Sequence, residues 1–497
     1  MYSDAAWGFN TLQSMVNGGK FNFESTVDPS NLANNITSFN NTFTPGQYLF
    51  SFFLVKYLHL DIGESLIIIV PVFNLVGLLG FYHLFLNLTF SKRTTLFCIL
   101  IIVLQRYFSL PFSIYNGGET LIFGLLPWCI LFVEKIKLRT VCGFLIIIFI
   151  GLVGFFIKAS FLITLVSLCF YLFLRFIDFP NIKLKNIFID GLIITLALTL
   201  TFAVCYFTFL NTGLYSKQKF DPEFNLNTTL YIFSAIVNSA FSLDDIFNKI
   251  FLFPGNTFGD TAISIYTMVW NFCLAVLSIF IIKEIYNLKG FYNLRLLTLS
   301  FLFVYVIAFL ILWNKKEITS SLEMRHLRPL GLIFIPAIVL LIKQNKNKVL
   351  VFSTGLIVLV SIIYGPISFL QRELNIYNTN AFGNHGFRHG IIDQETIDYL
   401  HQIDKVSDRN TIIFVPSPEI ALEISNARKI ISQVDFTSVD NLKNTVYEGK
   451  VKKLYLCLQR KFEHDGKQEA IISSFKGYHH FKIIFSNQKF NLIELID

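Results

Sequence analysis

Charge is what this sequence has little of. Asp, Glu, Lys and Arg make up 15% of its 497 residues, against about 25% in soluble globular domains. Apolar and aromatic residues reach 54%, and mean hydropathy is +0.58. So few charges exclude a disordered chain and a soluble nucleic-acid binder. Usable cysteine pairs are missing too. Six of the seven cysteines (Cys98, Cys129, Cys142, Cys169, Cys205 and Cys273) lie in apolar runs, and only Cys457 falls in an aqueous region. Neither a disulfide framework nor a zinc site follows, since no two cysteines have ligand spacing. There is no internal repeat, and the one biased tract is the Asn/Ser/Thr-rich stretch from Ser30 to Thr44.

What is abundant is apolar runs approaching the ~20 residues that a membrane-spanning helix needs. They occur at about 65–86, 95–112, 119–133, 141–157, 160–177, 187–210, 262–282, 296–313, 327–342 and 349–370. The fourth and fifth form one apolar stretch split at Phe155-Phe156-Ile157-Lys158-Ala159-Ser160, which predicts a tight helical hairpin. The chain therefore reads as an α-helical polytopic membrane protein with about ten spans. The net charge of +8 arises entirely before Arg372, because sixteen basic residues balance sixteen acidic ones from there on. Within the first part, one set of alternate short loops, including Lys92, Arg93, Lys135, Lys137, Arg139, Lys343 and Lys346, nets +10, and the opposite side nets −2. By the positive-inside rule the basic loops face the cytoplasm. The connections 1–63, 211–261 and 314–326, and everything after about 371, then face outward. The acidic residues Asp221, Asp244, Asp245 and Asp260 read as solvated in the long outer loop.

Four segments follow from this division: a first outer loop (1–63), a transmembrane helical domain (64–370), a linker (371–390) and a small α/β soluble domain (391–497). In the last, helices are predicted at Asp393–Ile403, Pro418–Ser425 and Gln468–Phe475. Strands are predicted at Thr411–Val415, Lys429–Val434, Val451–Leu458, Phe481–Phe485 and Phe490–Leu495. The pair His385 and His389 has metal-like spacing but no third ligand in its loop. Residues 2–19 read as a short amphipathic helix stopped by Gly18-Gly19, and Phe43-Thr44-Pro45-Gly46-Gln47-Tyr48 opens an aromatic-rich interfacial segment.

An acidic residue (Asp4), a helix ending in Gly-Gly and then a Pro-led aromatic helix resemble, in this order, the first outer loop of the GT-C glycosyltransferases. These are multi-span enzymes that use polyprenyl-phosphate sugars, such as protein O-mannosyltransferases and lipid A aminoarabinose transferases. Tyr115-Asn116-Gly117-Gly118-Glu119-Thr120-Leu121 resembles that family's second outer loop. Phe155-Phe156-Ile157-Lys158-Ala159-Ser160 resembles its Phe-x-x-Lys-Gly hairpin, with Ala159 for Gly. Glu323-Met324-Arg325-His326-Leu327-Arg328-Pro329 resembles its Arg-Tyr-x-x-Pro segment, with His326 for Tyr. The family also has a span just before the acidic residue, and here three residues precede Asp4. The expectation is either an apolar segment encoded upstream of Met1 or a degenerate family member.

The resemblance implies a GT-C-like bundle that moves a sugar from a polyprenyl-phosphate donor to an outward-facing lipid, glycan or protein acceptor, with inversion. A carboxylate is needed to orient or deprotonate the acceptor hydroxyl. The leaving phosphate needs cations and hydrogen-bond donors, not a proton. Asp4 is the expected base, Glu119 a second carboxylate, and Lys158, Arg325, His326 and Arg106 the expected phosphate clamps. Simpler roles compete: helix capping for Asp4 and Glu119, snorkelling for Lys158, interfacial anchoring for Arg325 and Arg328. No cofactor requirement is visible, and a divalent metal is left open. The partners expected are the lipid donor, the acceptor and the bilayer of a cell membrane, without nucleic acid. A surface-polysaccharide polymerase or ligase is the nearest alternative. A flippase is less favoured, since it would place ionisable residues at mid-membrane.

Overall fold

The computed structural model describes residues 3–108, 115, 117–177, 183–212, 226–243, 246, 265–313, 324–379 and 381–497. Its body is helical. After α1 (Ser3–Val16), a hairpin of β1 (Phe23–Val27) and β2 (Asn35–Phe39), and α2 (Gly46–Leu58), the bundle comprises α3 (Ile62–Asn87), α4 (Lys92–Leu104), α5 (Glu119–Lys135), α6 (Val141–Ile157), α7 (Phe161–Phe176) and α8 (Leu184–Cys205). It continues with α9 (Leu226–Phe241), α10 (Ile265–Tyr286), α11 (Tyr292–Trp313), α12 (Arg328–Gln344) and α13 (Lys348–Thr379).

Each of the ten apolar runs forms a helix. Among the described residues six segments are long and apolar enough to cross a membrane: Ile62–Asn87, Leu184–Leu210, Met268–Tyr286, Tyr292–Leu312, Arg325–Gln344 and Lys348–Asn375. Helices α5, α6 and α7 have 17, 17 and 16 residues and α4 has 13, lengths at or below the lower end of the ~17–25 residues of spanning helices. Packing distinguishes the long segments. That of α12 has 83% of its apolar window buried inside the protein, against 22% for that of α8, so α12 is the central post and α8 lies at the periphery.

Local chemistry sets the helix ends. Ser91 and Thr140 accept hydrogen bonds from Thr94 N and Gly143 N and so cap α4 and α6. The break between α6 and α7 falls at Lys158, as the split apolar stretch predicts. At the far end of the bundle the Arg139 guanidinium donates to both oxygens of Asp190 at 2.7 and 3.0 Å, which neutralises a carboxylate sited within an apolar run.

Two elements appear that the sequence reading does not predict. The 211–261 connection is not all solvated loop, because α9 packs into the bundle with Tyr231, Ile232, Ala235, Ile236 and Val237 buried. Its polar residues interrupt the apolar run and hide it from a hydropathy reading, but tertiary contacts satisfy them: Ser234 Oγ meets Asn271 Oδ1 at 3.4 Å and Ser239 O accepts from Arg328. The acidic residues Asp221, Asp244, Asp245 and Asp260 lie outside the described residues. The Asn/Ser/Thr-rich tract likewise contains β2, antiparallel to β1 with Phe23 opposite Phe39. Alternation there is masked by short polar side chains on the open face.

After a short antiparallel pair, β3 (Ala381–Phe382) and β4 (Arg388–His389), the C-terminal domain forms a five-stranded sheet. Strands β5 (Thr411–Val415), β6 (Arg428–Ile431) and β7 (Lys453–Gln459) run parallel, while β8 (His480–Ser486) and β9 (Phe490–Ile496) close it antiparallel, in the order β6-β5-β7-β9-β8. Helices α14 (Gln394–Lys405) and α15 (Lys467–Ser474) match the predicted spans closely, whereas the helix foreseen at 418–425 is one turn, Pro418–Ala421. Asp404 ends that turn by accepting the backbone N–H groups of Ser425, Asn426 and Ala427.

This domain is not an appendage. Lys429 Nζ donates to Asn10 Oδ1, Gln13 Oε1 and Ala421 O at 2.6, 2.8 and 2.8 Å, which uses all three of its protons to join α1 to β6. Asn10 and Gln13 add bonds to Pro418 O and Leu422 O. Phe9, Leu12, Tyr48, Phe52, Phe387 and Leu422 form one shared core. These contacts make a cut after residue 380 strip the support from α1.

Burial at this junction raises the Glu24 carboxyl to about 7, with Lys429 opposing. A carboxyl raised on folding contributes stability fully below its unfolded value of about 4.5, and this is lost as pH rises through about 7. Glu24→Gln is therefore expected to flatten the fall in thermal midpoint between pH 4.5 and 8. Parallel curves for the two proteins would show that Glu24 is not desolvated.

Candidate functional site

Four stretches distant in sequence meet at the Ile157–Lys158 break. Thr44 Oγ1 donates to Ile157 O at 3.0 Å. Gly46 and Gly118 approach the same backbone so closely that a Cβ on Gly118 would sit 2.7 Å from Ile157 O; only glycine allows both approaches. Tyr115 donates its hydroxyl hydrogen to Gln47 O, which ties the turn before α5 to the start of α2. The fourth stretch is the 3-10 turn Met324–Leu327 that leads into α12.

The chemistry lies where these stretches converge. Glu119, in the first turn of α5, is 4% exposed. Its Oε1 pairs with Lys158 Nζ, and Arg325 Nε stands 4.0 Å from the same oxygen. Its Oε2 is buried and accepts no hydrogen bond among the described residues. Ser160, Thr164, Tyr305, His326, Arg328 and Pro329 also line the pocket, with Ile122, Phe123 and Leu332 as its apolar part. Thr164 Oγ1 and Tyr305 OH share a hydrogen bond of 2.7 Å. The open volume is about 20 Å³, room for roughly one water, so the site is closed around its own ion pair.

The expected residues separate into two groups. Glu119, Lys158, Arg325 and His326 come together. Arg106 does not line the pocket; its Nε donates to Ser368 Oγ at 3.2 Å, joining the end of α4 to α13. Asp4 falls in the first turn of α1, its side chain outside the described residues, and Glu323 also lies outside them. Capping does not account for Glu119, because the N-cap of α5 is Gly118, with no side-chain cap bond. Nor is Arg328 an interfacial anchor. Only 5% exposed, it donates to Ser239 O at 2.6 Å and Ser242 Oγ at 3.0 Å and stacks 4.6 Å over the Tyr107 ring. It straps α9 to α12.

Sequence reasoning missed Thr164, Tyr305, Tyr107 and the glycine contacts, since each is a lone small or aromatic residue in an apolar run and carries no local pattern. His385 and His389 turn to different partners. His389 Nε2 lies 2.7 Å from Glu423 Oε1, while His385 faces Gln13 at 3.2 Å and Asp61 at 3.8 Å. A second histidine, His401, reaches the other Glu423 oxygen at 2.9 Å. Burial raises the Glu423 carboxyl, but these hydrogen bonds outweigh it and hold the group down at about 2.

A buried pair is costly to break from one side, because the remaining charge loses its counterpart at ~3–5 kcal/mol. Lys158→Met is therefore expected to destabilise the protein by about that amount in a detergent thermal-unfolding series. Adding Glu119→Gln should recover most of the loss, and additive losses would mean that the two side chains act independently. No family model matches this chain, and no curated protein matches it either.

Proposed function

We propose that this protein is an integral membrane glycosyltransferase of GT-C type, inverting, that moves a sugar from a polyprenyl-phosphate donor to an extracytoplasmic acceptor. The observation that carries the reading is the convergence of residues 44–47, 115–119, 157–158 and 325–328 on one buried carboxylate flanked by cations. All four stretches belong to segments that resemble the family's motifs, and nothing in their spacing along the chain obliges them to meet.

The chemistry assigned to the site follows from its groups. Lys158, Arg325 and His326 bind the phosphate and take up the charge that grows on it as the glycosidic bond breaks. The second oxygen of Glu119 is available to a sugar hydroxyl, and the ion pair orients that carboxylate. Asp4, on the helix that packs over Tyr48 and Tyr115, takes the acceptor proton. An apolar groove of about 520 Å³ lined by Phe170, Leu174, Phe233 and Phe303 runs along α7 and α11, the helices that bring Thr164 and Tyr305 to the site. The prenyl chain of the donor is assigned to this groove, whose lining is apolar. In this reading the short helices α4 to α7 also cross the bilayer, bringing the spans to about ten, and the site and the C-terminal domain face outward.

Activity is measured as release of polyprenyl phosphate from a panel of polyprenyl-phosphate sugars. Asp4→Asn should lower turnover by ~10²- to 10⁴-fold with donor binding little changed. Lys158→Met/Glu119→Gln, folded by the criterion above, should lose donor binding as well. Full activity of Asp4→Asn would move the base to Glu119. Orientation has its own check: cysteines placed at Asn410 should label only from outside, and those at Lys137 and Lys346 only from the cytoplasm. Cytoplasmic labelling at Asn410 would remove the outward-facing site.

A further inference from the structure

A second cavity lies away from the Glu119 site and shares no lining residue with it. It is a cleft of about 760 Å³ between the C-terminal half of α1, the β1–β2 hairpin and the edge strand β6, within the ~300–1,000 Å³ of small-molecule sites. About half of its wall is polar. Asn10, Gln13, Ser14 and Asn17 come from α1, Thr26 and Thr37 from the hairpin, and Ser425 and Asn426 from the C-terminal domain, with the Phe23 ring as an apolar face.

Two groups in this cleft have unmet and opposite demands. Glu24, half-buried, makes no side-chain hydrogen bond among the described residues and feels only the charge of Lys429. Arg428 places one nitrogen on Asn34 O and Asn35 Oδ1, both at 3.1 Å, but its Nε is buried without a hydrogen-bond partner. A carboxylate only accepts and a guanidinium only donates. An anion would satisfy Arg428 and be repelled by Glu24 and Asp61. A cation would satisfy Glu24 and meet Lys20, Arg409, Arg428 and Lys429. The group that answers both is one that donates and accepts without charge, the hydroxyl. Repeated hydroxyls on a ring with an apolar face also suit the amides and the aromatic platform.

We infer that this cleft is a binding site for a neutral saccharide, distinct from the pocket around Glu119. Hydroxyls of the ligand donate to Glu24 and accept from Arg428 Nε, the side chains of Ser14, Asn17, Thr26 and Thr37 read the remaining hydroxyls, and Phe23 covers one ring face. The inference goes beyond the transfer reading, because it concerns binding without turnover and holds whether or not the Glu119 site is catalytic. It also gives the junction between α1 and the C-terminal domain a role in recognition.

The test uses the full-length protein in a detergent without a sugar headgroup. Neutral gluco-, galacto-, manno- and N-acetylglucosamine tetrasaccharides are titrated calorimetrically, beside an acidic tetrasaccharide and an unstructured Ser/Asn-rich peptide. At least one neutral sugar is expected to bind. Its affinity should fall at least about tenfold in Glu24→Ala and also in Asn17→Trp, which fills the cleft from an exposed position. Lys158→Met/Glu119→Gln should leave it unchanged. The inference is overturned if no neutral sugar binds, if the acidic sugar or the peptide binds in preference, if folded cleft variants bind normally, or if affinity is lost with the Lys158 and Glu119 changes.

Discussion

Lys158 stands at the one point where the long apolar stretch of α6 and α7 turns, and its ammonium group is held by a carboxylate from another helix. The pair with Glu119 is buried, so neither charge is tolerable alone. That constraint brings the start of α5 onto the α6–α7 turn, leaves Gly46 and Gly118 against the backbone at Ile157, and places Arg325 beside the same carboxylate. The remaining polar chemistry of this region is arranged around a charge that packing alone would not accommodate.

A second device of the same kind holds the other side. Arg328 is buried at the head of the most enclosed helix and spends its donors on Ser239 O and Ser242 Oγ, with Tyr107 beneath it. It thereby lets α9, a helix broken by serines and asparagine, sit inside an apolar bundle. Backbone and side-chain groups in such surroundings must find partners within the protein, and the cation supplies them from one point. Arg106 does similar work between α4 and α13, which is why a residue expected at a phosphate is found at Ser368.

The C-terminal domain extends this logic into the polar part of the molecule. Lys429 gives two of its protons to Asn10 and Gln13 across the junction with α1 and the third to Ala421 O within its own domain, and burial lowers its amine to about 8. Beside it, Glu24 is raised to about 7. Two groups of opposite charge, each pushed toward neutrality, mark a junction that is desolvated but not closed, and the cleft between hairpin and sheet edge is the space left over.

Apolar run length and the break at Lys158 determined the helical body, because hydropathy over some twenty residues is a local property. Alternation and capping residues such as Asp393 likewise determined most of the C-terminal sheet and α14. The likeness of three segments to a known family's motifs singled out Glu119, Lys158, Arg325 and His326. Only the tertiary structure decided that these four share a pocket, that Arg106 belongs elsewhere, that Arg328 is a strap, and that α9 and the β1–β2 hairpin are ordered elements. The physical reason is common to these cases. A polar residue in an apolar run, or a short polar strand, has no stable local conformation to announce, and its role depends on a partner tens or hundreds of residues away that supplies the missing hydrogen bond or charge.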